Sequence, residues 1–318
     1  MNVDTERTYG LNELEYWPLC LNEDGQLNRW PFDGVALAVI GSPIDHSLSP
    51  VMHNAALAEL AKAKPEFAKW RYFKFKIASN ELEGALRVFH EKQFRGLNLT
   101  VPHKALVVPN LEIKDSFVQV AGAANTLLFT ETWWRGYNTD GIGLSAALRN
   151  DLAVELTGAE IILLGAGGAA RAAAAECLRN QCASLWIGNR TQILRDKLVD
   201  ELRTTYPGQH NIHPFSLKYG QNEKLPAQSI VINATSLGLE PEDDSPLDLE
   251  KIPRPMHVFD MIYRPAQTAL LRQAATLGIP NSNGLSMLVH QGAASLEIWT
   301  GEKAPIETMD QAVRRALN

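Results

Sequence analysis

A lysine and an aspartate at strand ends, accompanied by a glycine-rich turn, are residue types that together could move a hydride and a proton. In Asn98-Leu-Thr100-Val-Pro-His-Lys104 and in Asn138-Thr-Asp140-Gly, polar side chains close short apolar stretches. A lysine held near a carboxylate can pass a proton to a carbonyl oxygen as hydride reaches the carbon. Taken singly, Lys104 also fits a surface lysine and Asp140 a helix cap. Both gain weight from Ile161-Ile-Leu-Leu-Gly165-Ala166-Gly167-Gly168-Ala169-Ala170, an apolar run, a glycine cluster and an alanine-rich run. A strand, a tight turn and a helix in that order bring backbone N–H groups at a positively polarised helix N-terminus to a dinucleotide's phosphates. The spacing is Gly-x-Gly-Gly-x-Ala rather than the fuller Gly-x-Gly-x-x-Gly, and structural loops use glycine-rich turns too. Roughly two dozen residues downstream, where such folds read the adenosine ribose, Asn189-Arg190-Thr191 closes the next apolar run. NAD asks there for Asp or Glu, whereas donors and a positive charge suit a 2′-phosphate, so this stretch points to NADP.

The elements that must position these groups alternate between strand and helix. Val35–Ile40 reads as a buried strand, Pro50–Leu60 as a proline-initiated helix, and Gly41–Ser49 as the polar loop between them. Lys69–Ile77 alternates apolar and basic residues as a half-exposed strand does, and Ala124–Thr130 and Trp133–Asn138 read as further strands. After Ile161 come expected strands at Ser184–Gly188, Ile212–Phe215, Ile230–Asn233 and Val258–Met261, with helices at Gln192–Thr204 and Ala266–Ala275. The alternation favours parallel sheets and, from Ile161 onward, a Rossmann-type doubly wound sheet. Leu285, Leu288, Val289, Ala293, Leu296 and Trp299 recur at helical spacing, and Pro305–Leu317 follows as a second helix. Residues 1–34, with Trp17, Pro18, Trp30 and Pro31, show no period and read as an N-terminal extension wrapping a domain. The run Pro241–Pro246 reads as a solvated loop.

Length and composition bound the class of protein. The 318 residues allow two domains of ordinary size, and 45% hydrophobic with 21% charged residues fits a globular protein. A net charge of −6 argues against a nucleic-acid or anionic-membrane partner, while still permitting a locally basic pocket. The acidic Met1-Asn-Val-Asp-Thr-Glu-Arg start and the absence of a long apolar run give a cytoplasmic expectation. Cys20, Cys177 and Cys182 form no Cys-x-x-Cys pair and read as structural thiols. His46, His53 and His103 lack the spacing of metal ligands, so no metal is expected and local structural roles are assigned to them.

Gly41-Ser-Pro-Ile-Asp-His-Ser47-Leu-Ser49-Pro-Val-Met-His-Asn54, Asn98–Lys104, Gly122–Thr126, Asn138–Gly141, Gly165–Gly168, Asn189–Thr191, Asn233–Gly238, Asp260–Tyr263 and Asn283–Gln291 together resemble shikimate dehydrogenase, in that family's order and over about residues 35–301. The resemblance implies an α/β chain: an N-terminal substrate domain (35–140 plus 284–318), a Rossmann-type NADP-binding domain (141–283), and a cleft between them. It implies NADPH-dependent, reversible reduction of 3-dehydroshikimate to shikimate. Lys104 and Asp140 match the catalytic pair. Ser47 and Ser49 match carboxylate donors, Asn98, Thr100, Asn125 and Gln291 ring-hydroxyl partners, and Tyr263 a further substrate contact. Gly165, Ala166, Gly167, Gly168, Ala169, Asn189, Arg190, Thr191, Thr235, Ser236, Met261 and Gly284 match the cofactor site. A quinate/shikimate or aminoshikimate relative, and an inactive nucleotide-binding regulator, are the rival readings; a monomer or homodimer is expected. One position departs: the second basic residue that often follows Asn-Arg-Thr falls one place late, Leu194 preceding Arg195, and one place on a helix turns a side chain by about 100°.

Overall fold

The computed structural model describes residues 4–15, 19–21, 27–29, 34–208, 211–217, 225–240 and 242–317. Trp17, Pro18, Trp30, Pro31 and Pro241 lie outside the described residues. Two compact units emerge, the first made of Met1–Gln119, Ala123–Thr139 and Gly292–Asn318, the second of Val120–Gly122 and Asp140–Gln291.

Strands of the first unit are β1 (Thr8–Gly10), β2 (Leu19–Leu21), β3 (Leu27–Arg29), β4 (Val35–Gly41), β5 (Trp70–Lys76), β6 (Gly96–Leu99), β7 (Ile113–Lys114), β8 (Thr126–Phe129) and β9 (Trp134–Tyr137). Its helices begin with α1 (Leu11–Glu15), α2 (Ser49–Ala63), α3 (Leu82–Glu91), α4 (His103–Leu106) and α5 (Ser116–Ala121). Seven strands form one sheet in the order β1-β5-β4-β6-β8-β9-β7, and β2 pairs with β3 separately. The apolar run of β4 is buried on both faces between two parallel neighbours, as such sheets require. The sheet is mixed rather than parallel throughout, because β8 runs antiparallel to both β6 and β9. Only residues 130–133 join β8 to β9, too short a link for a parallel crossover. Nor is β5 half-exposed: Lys74 is buried, and its Nζ donates to the Asp45 carbonyl at 2.7 Å. Part of the N-terminal extension is itself a strand of this sheet. β1 pairs in parallel with Lys74–Lys76, and Tyr9 meets the rings of Phe73 and Phe75.

The second unit holds β10 (Glu160–Leu164), β11 (Ser184–Gly188), β12 (Ile212–Phe215), β13 (Ile230–Asn233), β14 (His257–Asp260) and β15 (Asn281–Asn283). All pairings are parallel, in the order β12-β11-β10-β13-β14-β15. Counted from β10 this is the 3-2-1-4-5-6 order of a Rossmann sheet. Helices α6 (Asp140–Leu152), α7 (Gly168–Arg179), α8 (Gln192–Thr205) and α9 (Ala269–Thr276) belong here. α9 begins three residues later than the sequence suggests because Thr268 caps it, its hydroxyl accepting from Leu271 N–H at 3.3 Å. The chain ends with α10 (Leu285–Thr300) and α11 (Ile306–Leu317). Cys177 and Cys182 are buried free thiols, and burial pushes the Cys182 thiol up to about 12. Among the described residues no helix is long and apolar enough to cross a membrane.

Candidate functional site

In the second unit the fully buried Ile161–Leu164 run of β10 delivers the chain into the glycine turn. Gly165 sits at φ +117°, and a Cβ there would lie 2.9 Å from the Ala234 carbonyl oxygen. Its N–H donates to Gly188 O at 2.7 Å, so the turn is fastened to the end of β11. Ala166 packs partly against the core, whereas Gly167 faces open space, with no atom within 4 Å of a Cβ placed on it. Gly168 and Ala169 then open the twelve-residue α7. First-turn amides of a helix have no intrahelical acceptor, so this end presents N–H groups beside room for a phosphate.

At the end of β11, Asn189 Nδ2 donates to the Thr191 carbonyl at 2.9 Å and shapes the loop, while Arg190 and Thr191 are exposed. Arg195 does not join them. Its guanidinium is folded back on Phe215 O at 2.8 Å and on Asp196 at 2.8 Å. Leu194 is 51% exposed.

Asn233 and Asp260, both fully buried, brace the ends of β13 and β14. Asn233 Oδ1 accepts from Thr235 N–H (3.0 Å) and Thr235 Oγ1 (2.8 Å), and its Nδ2 donates to Asp260 Oδ1 at 3.0 Å. Asp260 also accepts from Ile262 N–H and from Thr268 Oγ1, and burial raises its carboxyl pKa above the usual range. Thr235 thus builds the turn that leaves Ser236 exposed. Gly284 is needed where it stands, since a Cβ would lie 2.0 Å from Met261 O. That contact places Met261 and the start of α10 back to back, with Tyr263 half-buried just beyond. Gln291, half-buried on α10, donates from Nε2 to Leu288 O at 2.8 Å.

In the first unit, Ser47 lies in the loop after β4 and Ser49 is the first residue of α2, its N–H donating to Ser47 Oγ at 3.3 Å. β4 aligns β6 beside it, and Thr100 N–H donates to Ile40 O at 3.0 Å where β6 ends. Thr100 O accepts from His103 N–H, which starts α4 and places half-buried Lys104 in its first turn. The Lys104 carbonyl accepts from Ala124 N–H at 2.7 Å, fixing the backbone of Lys104 next to that of Asn125. Asn125 N–H donates to Tyr137 O, and Asn138 Nδ2 donates to Ala123 O at 2.9 Å, which ties Asn138-Thr139 to the same segment. Asp140 follows as the first residue of α6. Ser47, Ser49, Asn98, Thr100, Lys104 and Asn125 therefore belong to the first unit, and Asp140, Tyr263, Gln291 and every candidate cofactor residue to the second.

Side chains the motifs did not single out complete the first group. Tyr72 Oη donates to Asn98 Oδ1 at 2.7 Å, and Thr126, Thr139 and Ser295 surround the Asn98 and Asn125 amides. A serine inside the apolar stripe of α10 was the one available signal, since a hydroxyl there needs a buried partner. His103 Nε2 donates to Ile77 O at 2.8 Å and burial lowers its pKa, so it is a neutral structural donor. His53 is fully buried and stacked on Tyr72, with ring centroids 4.2 Å apart. Among the described residues no group of three or more His, Cys, Asp or Glu is placed to hold a metal.

The family model for the shikimate dehydrogenase substrate binding domain matches residues 39–127, and that for the shikimate 5'-dehydrogenase C-terminal domain matches residues 284–314. The shikimate dehydrogenase (NADP(+)) of Methanopyrus kandleri is 35% identical over 284 residues, covering 88% of this chain and 95% of that protein. A structure of shikimate 5-dehydrogenase from Thermus thermophilus, in complex with NADP(H) and shikimate, is 33% identical with a TM-score of 0.75, covering 89% of this chain and 99% of that one. Ligand-free 5-ketofructose reductase of Gluconobacter sp. strain CHM43 has the same TM-score of 0.75 at 27% identity, covering 90% and 99%.

Proposed function

The chain belongs to the shikimate dehydrogenase family, and on that premise we propose that it catalyses the NADPH-dependent, reversible reduction of 3-dehydroshikimate to shikimate in aromatic amino acid biosynthesis. The observation that carries the reading is the Lys104–Ala124 backbone hydrogen bond, which sets a proton-donating lysine beside Asn125. The presence of both Lys104 and Asp140 argues against a non-catalytic binder, which does not need a proton-transfer pair.

Gly165 to Ala169 fit a dinucleotide: the first glycine is forced by φ and crowding, the second opens on space, and a long helix begins directly after. Arg190 carries the charge for the 2′-phosphate, with Asn189 and Thr191 shaping its loop, and Thr235, Ser236, Met261 and Gly284 line the nicotinamide end. When bound, the cofactor supplies the hydride. Ser47 and Ser49 donate to the substrate carboxylate. Asn98, Thr100, Asn125 and Gln291 hold the ring hydroxyls, and Tyr263 adds a contact. Lys104 gives its proton to the oxygen that becomes the new hydroxyl, and Asp140 accepts from that hydroxyl and orients the lysine. The enzyme works in the cytoplasm as a monomer or homodimer on a small-molecule substrate.

Initial rates of NADPH formation from shikimate and NADP+, followed by absorbance, test the reading, with quinate and NAD+ run alongside. Shikimate with NADP+ is expected to be the preferred pair. Efficient quinate oxidation with NAD+ selects the quinate relative instead, and no turnover of either acid selects the regulator.

A further inference from the structure

Hydroxyl and amide groups of the first unit close into a ring. Thr139 N–H donates to Asn125 Oδ1 at 2.8 Å, which fixes the way the Asn125 amide faces. From there Asn125 Nδ2 donates to Thr139 Oγ1 (2.9 Å), Thr139 Oγ1 shares its proton between Ser295 Oγ (3.1 Å) and Asn125 Oδ1 (3.2 Å), Ser295 Oγ pairs with Thr126 Oγ1 (2.7 Å), and Thr126 Oγ1 donates back to Asn125 Oδ1 (2.9 Å). The four side chains are linked all the way round, so the bonds polarise one another. Thr126 and Ser295 are fully buried and Asn125 and Thr139 are 1% exposed, so water does not compete with the ring.

Asn98 feeds into it. Its Nδ2 donates to the Asn125 carbonyl at 3.1 Å, and a carbonyl only accepts, so the NH2 side must face inward. The same nitrogen lies 3.0 Å from Ser295 Oγ and 3.1 Å from Thr126 Oγ1. Oδ1 is left facing Tyr72, which donates to it at 2.7 Å. Both amide protons of Asn98 are committed within the protein, and toward a ligand hydroxyl this residue acts as an acceptor.

We propose that Ser295 and Tyr72 are positioning residues for substrate binding: Ser295 closes the ring that orients Asn125, and Tyr72 holds the amide of Asn98 in its accepting orientation. The proposal rests on the reading above that Asn98 and Asn125 hold ring hydroxyls of shikimate. Ser295 is the strategic member because its one oxygen serves Asn98, Thr126 and Thr139 together. Removing it opens the ring at two points without taking away any group that touches substrate.

The test compares Ser295→Ala, Tyr72→Phe and the wild-type full chain by steady-state kinetics of shikimate oxidation with NADP+. Loss of a neutral hydrogen bond that orients a binding group is worth about a fivefold to tenfold rise in the KM for shikimate. The KM for NADP+ is expected to stay unchanged and kcat to stay within about twofold. A KM for shikimate unmoved in both variants overturns the inference while leaving the functional reading intact. So does a rise in both KM values together with a fall in kcat, the mark of general structural damage. Wild-type protein that does not oxidise shikimate at all overturns the reading and the inference with it.

Discussion

Acid should destabilise this protein through His53. The ring is fully buried, stacked on Tyr72 and flanked by Trp299, and neither nitrogen has a hydrogen-bond partner among the described residues. Burial lowers its pKa from 6.5 to about 3. A base with a depressed folded pKa is protonated first in the unfolded chain, so its contribution is fully present above about pH 6.5 and is lost as pH falls toward 3. At about pH 5 the unfolded form is favoured by roughly 1.5 pH units of protonation, or about 2 kcal/mol. Replacing the ring in His53→Phe removes this titration while keeping an aromatic in the stack. Packing differences between the two rings do not depend on pH and cancel when the stability difference at pH 7.5 is subtracted from that at pH 5. Calorimetric or urea unfolding at the two values should therefore show wild type losing about 2 kcal/mol more than His53→Phe. A difference constant within about 0.5 kcal/mol over that range refutes the reasoning.

Three further outcomes follow from the sites. Lys104→Ala should lower kcat by about two to four orders of magnitude, the scale of a lost general acid, with NADPH affinity by fluorescence titration nearly unchanged. Gly165→Ala places a side chain at φ +117° and against Ala234 O; it should cost about 1–2 kcal/mol from the backbone alone, and more from the contact, read as a lower melting temperature with loss of cofactor binding. Because Arg195 is held by Phe215 O and Asp196, Arg190→Ala should raise the KM for NADP+ by about tenfold or more, the worth of a charge-assisted bond, and leave the KM for NAD+ within about twofold.

The second unit was largely legible because its signals are local and repeated. A buried run, glycines at the turn and the next run ending in Asn189-Arg190-Thr191 each follow from a short stretch, and the parallel pairing of β10 to β14 follows from the alternation, whereas the three polar residues of β15 gave no strand signal. In the first unit the strands were readable but their directions were not. The antiparallel turn from β8 to β9 follows from their short link, but the pairing of β8 with β6 joins Thr126–Leu128 to Gly96–Asn98, a non-local contact. β1 is three residues long and shows no period. The basic and apolar alternation of β5 suggested a solvated face, yet Lys74 finds a carbonyl and is buried. Lys104 and Asp140 stood out by type and motif, whereas Tyr72 and Ser295 sit at ordinary strand and helix positions and acquire meaning only from partners distant in sequence.

The short β1 has a consequence for handling the protein. A sheet edge is a row of unpaired N–H and C=O groups, a template on which another chain can add itself. Here that row on β5 is occupied by Thr8–Gly10 of the same molecule, with Tyr9 laid over Phe73 and Phe75. Trimming the chain past Gly10 bares both the backbone row and the aromatic surface at once. Thr8–Gly10 thus leave only a three-residue edge in place of the longer β5 row, and a shortened version should be judged first by whether it remains dispersed.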